Sequence, residues 1–431
     1  MILIYGKGKT GESLKEYFAK KNIQHVIIDD NDQLPEKKSI ESIIVSPGVP
    51  FYNRIFKYAK REKVPIMSEI EFAYRQCDNS CEIIAITGTD GKTTTTSLLY
   101  ETLKNSKDKN VYVGGNYGIP FVEILDKIDK TKKNIVILEL SSFQIYSTKT
   151  LKPKVSIILN ISTDHLDWHK KEKHYVLSKL KLLKKTDVAV LNYDDKCLKN
   201  IKKDDFYYFS LQKLPESYKG IYLKEYKKEK DEKIYNLIIK DDKIQEIQVK
   251  TQLMGLHNLQ NIMATILTCY LMDVDLNKVI ERIEKFKPLN HRLEFVEDIE
   301  GVKFYNDSKS TTVQAVEKAI ESFDEKIVLI IGGINKGGDF SKLGGLLKSK
   351  VLSVFVIGRD KDQIHQMVKD YTNSIKKDSL QDAVKEAFEV AKSNKAVVLF
   401  SPGCASFDMF KNYADRGNKF KEIVKSLNGK K

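Results

Sequence analysis

The chain has 431 residues, of which 41% are hydrophobic and 31% are charged. This length allows two to four domains of about 100–200 residues, and the apolar content excludes a wholly disordered or fibrous chain. The formal net charge of +14 comes almost entirely from lysine, since only seven of the basic residues are arginine. Evenly spread lysine is typical of a solvated surface, and a mild basic bias also suits an anionic substrate. The composition leaves the choice between these open, and evenly spread lysine gives no reason to expect a nucleic-acid partner.

Several features indicate a cytoplasmic protein. No segment approaches the ~18 uncharged apolar residues of a membrane-spanning helix, so we expect no membrane partner. The opening residues MILIYGKGKTG have no basic region before an apolar stretch, and they predict a first strand instead of a signal peptide. The five cysteines are scattered, which favours a reducing compartment over a disulfide framework.

The first predicted unit alternates strands and helices. Met1–Tyr5, His25–Ile28 and Ser42–Val45 are short apolar runs, and Ser13–Lys20 has helical spacing between the first two. Strands that alternate with short helices predict a parallel, doubly wound sheet. This unit is expected to end near the polar cluster at 77–81.

A second α/β unit begins at Ile83–Ile86, a fully buried type of strand, and continues into a glycine turn and a helix over Thr93–Lys104. Between Phe206 and Lys250 short alternating stretches rich in Tyr, Ile and Lys predict an antiparallel appendage. Helical spacing returns over residues 258–285. The further apolar runs are Val111–Val113, Ile135–Leu138, Val155–Leu159 and Val188–Leu191.

A third α/β unit follows a break at Phe286-Lys287-Pro288. It begins with an antiparallel pair over Glu294–Tyr305, and then has strands at Ile327–Ile331, Val354–Ile357 and Ala396–Phe400 with helices between them. The sequence therefore predicts an α/β protein of three domains, with bounds at 1–80, 81–288 and 289–431.

The segment with the clearest chemistry follows the strand Ile83–Ile86. It reads Thr87-Gly88-Thr89-Asp90-Gly91-Lys92-Thr93-Thr94 and leads into a helix. Glycines allow backbone N–H groups to surround an anion, and the helix N-terminus adds partial positive charge. Lys92 is expected at the β- and γ-phosphates of a nucleotide, and the Thr93 hydroxyl on Mg²⁺. The loop is shorter than the usual phosphate loop, and the alternative is a glycine-bearing turn with a surface lysine.

Two further features permit two interpretations each. Gly6-x-Gly8-x-x-Gly11, with Asp29 at about the expected distance, matches a dinucleotide-binding fingerprint and allows an NAD(P)-dependent oxidoreductase. Glu139 ends the run Ile135–Leu138, where open α/β sheets place ligands, so it is either a metal ligand or an ordinary carboxylate at a strand end.

Taken in order, many motifs resemble those of the Mur ligases, the ATP-dependent amide ligases of peptidoglycan precursor synthesis. Beside the phosphate loop these are Gly114-Gly115-Asn116, Glu139-Leu140-Ser141-Ser142-Phe143-Gln144, Thr163-Asp164-His165-Leu166-Asp167, Gly255-Leu256-His257-Asn258, His291-Arg292-Leu293-Glu294, Asn306-Asp307-Ser308-Lys309 and Ser401-Pro402-Gly403-Cys404-Ala405-Ser406. The glycine loop at 6–11 is most similar to that of the members that add D-glutamate to UDP-N-acetylmuramoyl-L-alanine.

The resemblance implies a Rossmann-like N-terminal domain that binds the UDP substrate. It also implies a P-loop-type central ATP-binding domain with a small antiparallel appendage, and a Rossmann-like C-terminal domain that binds the amino acid. The reaction would pass through an acyl phosphate and use ATP and two Mg²⁺ ions. Only small-molecule substrates are expected, with a monomeric protein.

The resemblance also implies roles for single residues. Lys92, Glu139, His165 and Lys179 would be catalytic, and Thr93, Glu139, His165 and a CO₂-derived carbamate on Lys179 would hold metal. Lys181 is the alternative if the alignment slips by two residues. The implied ATP-binding residues are Gly88, Thr89, Asp90, Gly91, Lys92, Thr93, Thr94, Asn261, Arg292 and Asp307. The implied UDP-substrate residues are Lys9, Thr10, Asp29, Ser46, Gly48, Asn116 and His165. The implied D-glutamate residues are Lys309, Thr311, Lys336, Ser406 and Tyr413.

The sequence departs from the family pattern at three points. Asp29-Asp30-Asn31 lacks the basic residue of the Asp-Thr-Arg found in some members, Asp90 stands where many have Asn, and Tyr413 stands where Phe is common. Beside the D-glutamate ligase three alternatives stay open: another Mur or folylpolyglutamate-type ligase, the oxidoreductase, and a nucleotide-sensing regulatory protein.

Overall fold

The computed structural model describes residues 1–36, 39–77, 81–104, 109–162, 164–229 and 232–428. The chain divides into two compact units, the first made of Met1–Thr251 with Gln260–Phe286 and the second of Gln252–Leu259 with Lys287–Lys431. Residues 78–80, at the predicted end of the first domain, and Thr163 of the motif at 163–167 lie outside the described residues. Within the described ranges no helix combines the length and apolar character needed to cross a membrane.

The first unit begins with a four-stranded parallel sheet in the order β2-β1-β3-β4. Its strands are β1 (Ile2–Tyr5), β2 (His25–Ile28), β3 (Ser42–Val45) and β4 (Ile66–Ser68). The first three are the predicted apolar runs. β1 and β3 are largely buried, whereas only Ile28 is buried in the edge strand β2. The three-residue strand β4 was not predicted.

A nine-stranded sheet forms the rest of this unit, in the order β13-β12-β11-β10-β9-β8-β5-β7-β6. Its strands are β5 (Cys81–Thr87), β6 (Lys109–Gly115), β7 (Lys133–Glu139), β8 (Val155–Ile158), β9 (Val188–Asn192), β10 (Phe206–Ser210), β11 (Lys219–Glu229), β12 (Glu232–Lys240) and β13 (Ile244–Thr251). Residues Ile83–Ile86 of β5 are at most 2% exposed, as expected of a strand in the middle of a parallel sheet.

The antiparallel appendage predicted over 206–250 is wrong in part. β10 pairs in parallel with both β9 and β11, whereas the pairs β11–β12 and β12–β13 are antiparallel. All four continue the central sheet. Alternating side chains reveal a strand with one exposed face, but they carry no information on the direction of its partner.

The second unit contains a six-stranded sheet in the order β14-β15-β19-β16-β17-β18. Its strands are β14 (Glu294–Ile299), β15 (Val302–Asn306), β16 (Ile327–Gly332), β17 (Val351–Ile357), β18 (Asn373–Lys376) and β19 (Val397–Phe400). β14 and β15 form the predicted antiparallel pair, and the other strands pair in parallel. β18 was not predicted because this edge strand is polar and half exposed.

Helices follow most strands, which gives the chain an α/β multidomain fold. They are α1 (Lys9–Lys20), α2 (Arg54–Glu62), α3 (Glu69–Gln76), α4 (Lys92–Leu103), α5 (Phe121–Leu125), α6 (Ser142–Tyr146), α7 (Leu166–His169), α8 (Glu172–Leu180), α9 (Leu256–Leu271), α10 (Leu276–Glu284), α11 (Val313–Glu321), α12 (Gly344–Lys350), α13 (Lys361–Val368), α14 (Leu380–Asn394) and α15 (Tyr413–Asn428).

Two buried carboxylates of α3 connect the two sheets of the first unit. Glu69 accepts a hydrogen bond from the backbone N–H of Val122 at 2.6 Å, and Glu71 accepts from those of Lys149 and Thr150 at 2.6 and 2.9 Å. Burial raises the pKa of Glu69 to about 7. The small parallel sheet is thus attached to loops of the large one by hydrogen bonds in a buried setting, where they are strongest.

Candidate active site

The site forms where parallel strands of the large sheet end side by side. β5 lies between β7 and β8, so that Ile86 is opposite Glu139 and Thr87 is opposite Ile158. The loop after β5 therefore meets Glu139 on one side and the residues that follow β8 on the other. This is the edge at which open α/β sheets bind ligands.

Asn160, two residues beyond β8, holds the phosphate loop in place. Its Oδ1 accepts the backbone N–H groups of Thr89 and Asp90 at 3.0 and 2.8 Å. The Thr89 hydroxyl lies 2.9 Å from the Tyr175 hydroxyl, a second contact that fixes the loop. Neither Asn160 nor Tyr175 was predicted as a site residue. The signal for Asn160 was available, since it follows a buried strand as Glu139 does.

The helix α4 begins directly after this loop. Gly91 occupies its N-cap with φ of +82° and no capping side chain. A helix N-terminus favours a bound anion, because its first N–H groups point out of the helix and carry partial positive charge. The Lys92 ammonium donates to the carbonyl oxygens of Gly88 and Thr89, both at 2.7 Å. Thr93 and Thr94 occupy the first turn and are largely buried. The geometry is that of a phosphate-binding loop.

A side chain at Gly91 is expected to damage this loop. A Cβ there would lie 2.4 Å from Oδ1 of Asn261, and the left-handed backbone adds about 1–2 kcal/mol of strain for a non-glycine residue. We predict that Gly91→Ala lowers the melting temperature and weakens ATP binding at least about tenfold in a calorimetric titration. Gly345→Ala is the control, because among the described residues no atom beyond its chain neighbours and its own helix backbone lies within 4 Å of its Cβ position. Unchanged ATP affinity in Gly91→Ala would contradict the assignment.

Glu139 has the properties of a ligand for a cation. Its side chain is 2% exposed, and Oε1 accepts a hydrogen bond from Nδ2 of Asn116 at 2.8 Å. Oε2 is buried and has no hydrogen-bond partner among the described residues. A buried carboxylate oxygen in that position is costly unless a cation or donor reaches it. The chemistry of the Glu139 carboxylate therefore fits Mg²⁺, a hard cation that prefers oxygen ligands.

In the described part of the chain no three His, Cys, Asp or Glu side chains form a group that could hold a metal ion. This finding is compatible with Mg²⁺ at Glu139, because magnesium in nucleotide sites takes one or two carboxylates and completes its shell with phosphates and water.

Lys179 is a lysine in an unusual setting, at the C-terminal end of α8. It is 2% exposed, and its ammonium lies 2.8 Å from the Gly88 carbonyl oxygen, 3.3 Å from the Thr87 hydroxyl and 4.8 Å from the ring centroid of Tyr175. Burial, with a smaller contribution from the charge on Lys92, lowers its pKa well below the usual range. A lowered pKa increases the share of the neutral amine, which is the nucleophilic form of lysine.

Lys181 lies in a different environment. Its ammonium donates to the carbonyl oxygens of Tyr146 and Thr148, both at 2.6 Å. The structure therefore brings Lys179 to the phosphate loop and leaves Lys181 bonded to the segment after α6.

His165 immediately precedes α7, in a left-handed conformation with φ of +53°. Its Nε2 is 3.4 Å from a carboxylate oxygen of Asp164, and its ring packs against Phe143 with centroids 4.8 Å apart. About half of the side chain is exposed. The histidine can therefore reach a ligand, with Asp164 orienting the ring.

Five of the residues predicted for the UDP substrate lie at the carboxyl edge of the small sheet, namely Lys9, Thr10, Asp29, Ser46 and Gly48, whereas Asn116 follows β6 and His165 precedes α7. Gly6 has φ of +109° and lies so close to Ser46 that a Cβ would be 2.8 Å from the serine side chain. Gly8 and Gly48 both face open space, and Lys9 and Thr10 begin α1. The Lys9 ammonium reaches the carbonyl oxygen of Gly118 at 3.1 Å, in the loop that also carries Asn116.

In the second unit Asp307 organises the ends of β15 and β19. Its carboxylate accepts hydrogen bonds from the hydroxyls of Ser310 and Ser401 and from the backbone N–H of Leu293, which is next to Arg292. Burial raises its pKa to about 6. Asp307 thus fixes the segment that carries Arg292.

Lys309 and Tyr413 come together in the same unit, with the ammonium 5.4 Å from the ring centroid. Ser406 is buried, whereas Thr311 and Lys336 are exposed in loops. Lys336 follows β16 in a loop ordered by Asn335, which exchanges hydrogen bonds with Gly338.

Arg416 is a residue of this region that the sequence did not indicate. It is 1% exposed and donates to the hydroxyl and carbonyl oxygens of Ser308 and to the carbonyl oxygen of Cys404. The arginine thereby joins the motif at 306–309 to the motif at 401–406. Its position on the buried face of α15 depends on how that helix packs, which the sequence does not show.

Together, the fold and the first unit's site define a nucleotide-phosphate-binding α/β protein with a buried lysine and a carboxylate beside the phosphate loop. Comparison with known proteins identifies the family to which this protein belongs. The family model of the Mur ligase middle domain matches residues 86–269, and that of the Mur ligase glutamate ligase domain matches residues 291–404. The chain belongs to the Mur ligase family.

Individual relatives agree with this membership. A UDP-N-acetylmuramoylalanine–D-glutamate ligase of Caldicellulosiruptor bescii is 37% identical over 99% of this chain and 97% of its own length. One of Thermoanaerobacter sp. (strain X514) is 39% identical over 90% of this chain and 85% of its own. The crystal structure of MurF ligase from Thermotoga maritima in complex with ADP has a TM-score of 0.66 at 19% identity and covers 99% of this chain and 95% of its own. That last similarity concerns the fold.

Proposed function

We propose that the protein joins D-glutamate to UDP-N-acetylmuramoyl-L-alanine, with ATP as the energy source. The products are UDP-N-acetylmuramoyl-L-alanyl-D-glutamate, ADP and phosphate, in peptidoglycan precursor synthesis. The observation that supports this most strongly is similarity over nearly the full length to relatives that carry this name. We assign the UDP substrate to residues 1–80, ATP to 81–288 and D-glutamate to 289–431, in a cytoplasmic monomer with Rossmann-like outer domains and a P-loop-type centre.

The chemistry requires activation of a carboxylate, because a carboxylate does not expel oxide when an amine attacks. An oxygen of the L-alanyl carboxylate attacks the γ-phosphorus of ATP, the bond to ADP breaks, and an acyl phosphate forms. The amine of D-glutamate then attacks the carbonyl carbon, loses a proton, and phosphate leaves. Carboxylate and triphosphate repel each other, so the site must supply positive charge at the phosphates. Lys92 and the N–H groups of α4 are placed to do so.

We assign the ATP contacts to Gly88, Thr89, Asp90, Gly91, Lys92, Thr93, Thr94, Asn261, Arg292 and Asp307. Thr93 and Glu139 would hold one Mg²⁺, and His165 with Lys179 a second. Bound there, Mg²⁺ supplies charge neutralisation at the phosphates. The role of this chain's residues is to fix the loop through Asn160 and Tyr175 and to orient Glu139 through Asn116.

Lys179 is proposed to carry the carbamate. Its neutral amine would attack CO₂, forming an N–C bond and releasing a proton, which converts a buried base into an anion. That anion would be a metal ligand, which an ammonium cannot be. The burial of Lys179 and its lowered pKa support this proposal.

We place D-glutamate in the second unit, with Lys309 and Lys336 as cations for its carboxylates and Thr311, Ser406 and Tyr413 around it. Lys309→Met is expected to raise the KM for D-glutamate about 10- to 100-fold, because a charge-assisted hydrogen bond is worth ~1.5–3 kcal/mol. Lys348→Met is the matched control, since that ammonium also lies over a tyrosine ring, 5.3 Å from Tyr371. Equal KM values for the two variants would contradict the assignment of Lys309.

The proposed activity is tested by phosphate release from ATP in the presence of UDP-N-acetylmuramoyl-L-alanine and single amino acids. We expect release with D-glutamate and at most a few per cent of that rate with L-glutamate, L-lysine or diaminopimelate. A preference for L-lysine or diaminopimelate would indicate another Mur ligase. Nicotinamide cofactor binding without phosphate release would support the oxidoreductase instead.

A further inference from the structure

The loop after β2 concentrates negative charge at the nucleotide end of the small sheet. Asp29, Asp30 and Asp32 lie within four residues, next to the glycine loop, whose Gly6 N–H donates to the carbonyl oxygen of Ile28 at 2.7 Å. Carboxylates beside an expected diphosphate repel it unless cations offset them. Position 31 is asparagine, so this loop supplies no cation of its own.

An arginine from another element reaches this loop. Arg54, the first residue of α2, donates through Nη2 to the backbone carbonyl oxygens of Asp29, at 2.9 Å, and Asp32. Its Nε donates to the Tyr5 hydroxyl at 3.1 Å, and that hydroxyl donates to a carboxylate oxygen of Asp30 at 2.7 Å. The Arg54 guanidinium thus connects both ends of the loop 29–32 to Tyr5, the last residue of β1, by hydrogen bonds.

A lysine reaches the loop from the opposite side. Lys7 lies between the first two glycines of the loop at 6–11, and its ammonium is 2.7 Å from the Asp32 carboxylate and 3.7 Å from that of Asp29. Lys7 also holds the pKa of Asp32 below its usual range, so that this pair stays charged at neutral pH. The side chain of Lys7 is 43% exposed, which leaves it accessible to a ligand.

We propose that Arg54 and Lys7 are positioning residues for the uridine diphosphate end of the substrate. They hold the loop 29–32 in position and offset the charge of its carboxylates. A basic residue at position 31 would otherwise serve this purpose. This inference rests on the proposed function. Arg54 acts through the backbone of Asp29 and Asp32, and Lys7 through their carboxylates and its position in the glycine loop.

The test compares Arg54→Met and Lys7→Met with wild type on two substrates. On UDP-N-acetylmuramoyl-L-alanine each variant should raise the KM about tenfold, with kcat and the KM values for ATP and D-glutamate changed less than twofold. On the same sugar-peptide carrying only a 1-phosphate, without the uridine monophosphate, variants and wild type should have equal KM values. Arg54→Lys, which keeps a cation but not the fork, should recover part of the loss.

Arg61→Met and Lys15→Met are matched controls. Arg61 is on the same helix as Arg54 but pairs with Glu62, and Lys15 is on α1 and pairs with Glu12. An equal loss on both substrates, or no change in KM on the full one, would overturn the proposal.

A calorimetric titration with UDP alone separates this inference from the proposed function, because it needs no turnover. Tenfold weaker binding of UDP to Arg54→Met than to Arg61→Met supports the inference even if the enzyme uses a different amino acid. Equal affinities, or no binding of UDP to the wild type, overturn it.

Discussion

Replacement of Lys92 by methionine is expected to lower kcat at least about 10³-fold. The reaction brings a carboxylate against a triphosphate, and two unit charges 4 Å apart repel each other by about 4 kcal/mol at an effective dielectric constant of 20. Removal of one preorganised donor to developing charge typically reduces kcat by about 10²–10³. Lys92 belongs to the phosphate loop, and its ammonium donates to the carbonyl oxygens of Gly88 and Thr89 in that loop.

The measurement is D-glutamate-dependent phosphate release at saturating substrates, beside thermal unfolding of each variant. Lys104→Met is the control from the other end of the same helix, where the ammonium pairs with Glu101 at 2.6 Å. It should keep wild-type kcat. A loss of less than tenfold in Lys92→Met would show that the lysine does not contact the reacting phosphates. If Lys92→Met turns over ATP at the wild-type rate, the alternative of a nucleotide-sensing regulatory protein also stays open.

Replacement of Lys179 by alanine is expected to abolish more than 99.9% of the activity, on the order of 10³-fold, while the fold persists. The Lys179 ammonium donates to the Gly88 carbonyl oxygen at 2.8 Å and to the Thr87 hydroxyl at 3.3 Å, so its loss should affect the site more than the core. Lys181→Ala is the matched control, two residues on. Wild type and Lys181→Ala incubated with ¹³C-bicarbonate should show a carbamate carbon signal by NMR, and Lys179→Ala should not.

Activity retained in Lys179→Ala, or a carbamate signal that persists in it, would contradict the assignment. If the alanine variant unfolds, Lys179→Met fills the same space without an amine and makes the same prediction. Turnover by a folded Lys179→Met variant would be equally contradictory.

The phosphate loop could be predicted from the sequence because its determinants are local. The strand at 83–86, the two glycines and Lys92 are contiguous, and parallel strands bring their carboxyl ends to one edge, which also accounts for Glu139. The direction of β10 and β11 could not be predicted, because the alternation of side chains along a strand does not encode the direction of its partner.

The burial of Lys179 likewise could not be predicted from the sequence, because Lys173 lies in the same helix and Lys181 directly follows it. Only tertiary packing shows that its amine reaches the Gly88 carbonyl oxygen whereas the amine of Lys181 reaches the chain after α6. Arg416 was missed for the same reason, since it bonds Ser308 and Cys404, which are more than 10 positions away in sequence. Asn160 was missed although its place after a buried strand was a signal. The resemblance to a family identified Lys179, and the structure supplies a physical reason for choosing it over Lys181.

The central claim, that ATP activates the substrate carboxylate as an acyl phosphate, is tested most directly by isotope transfer. UDP-N-acetylmuramoyl-L-alanine labelled with ¹⁸O in both oxygens of its carboxylate is turned over with ATP and D-glutamate, and the released phosphate is analysed by mass spectrometry. An acyl phosphate predicts one ¹⁸O in each phosphate and one in the new amide. Unlabelled phosphate formed together with the amide product would contradict it.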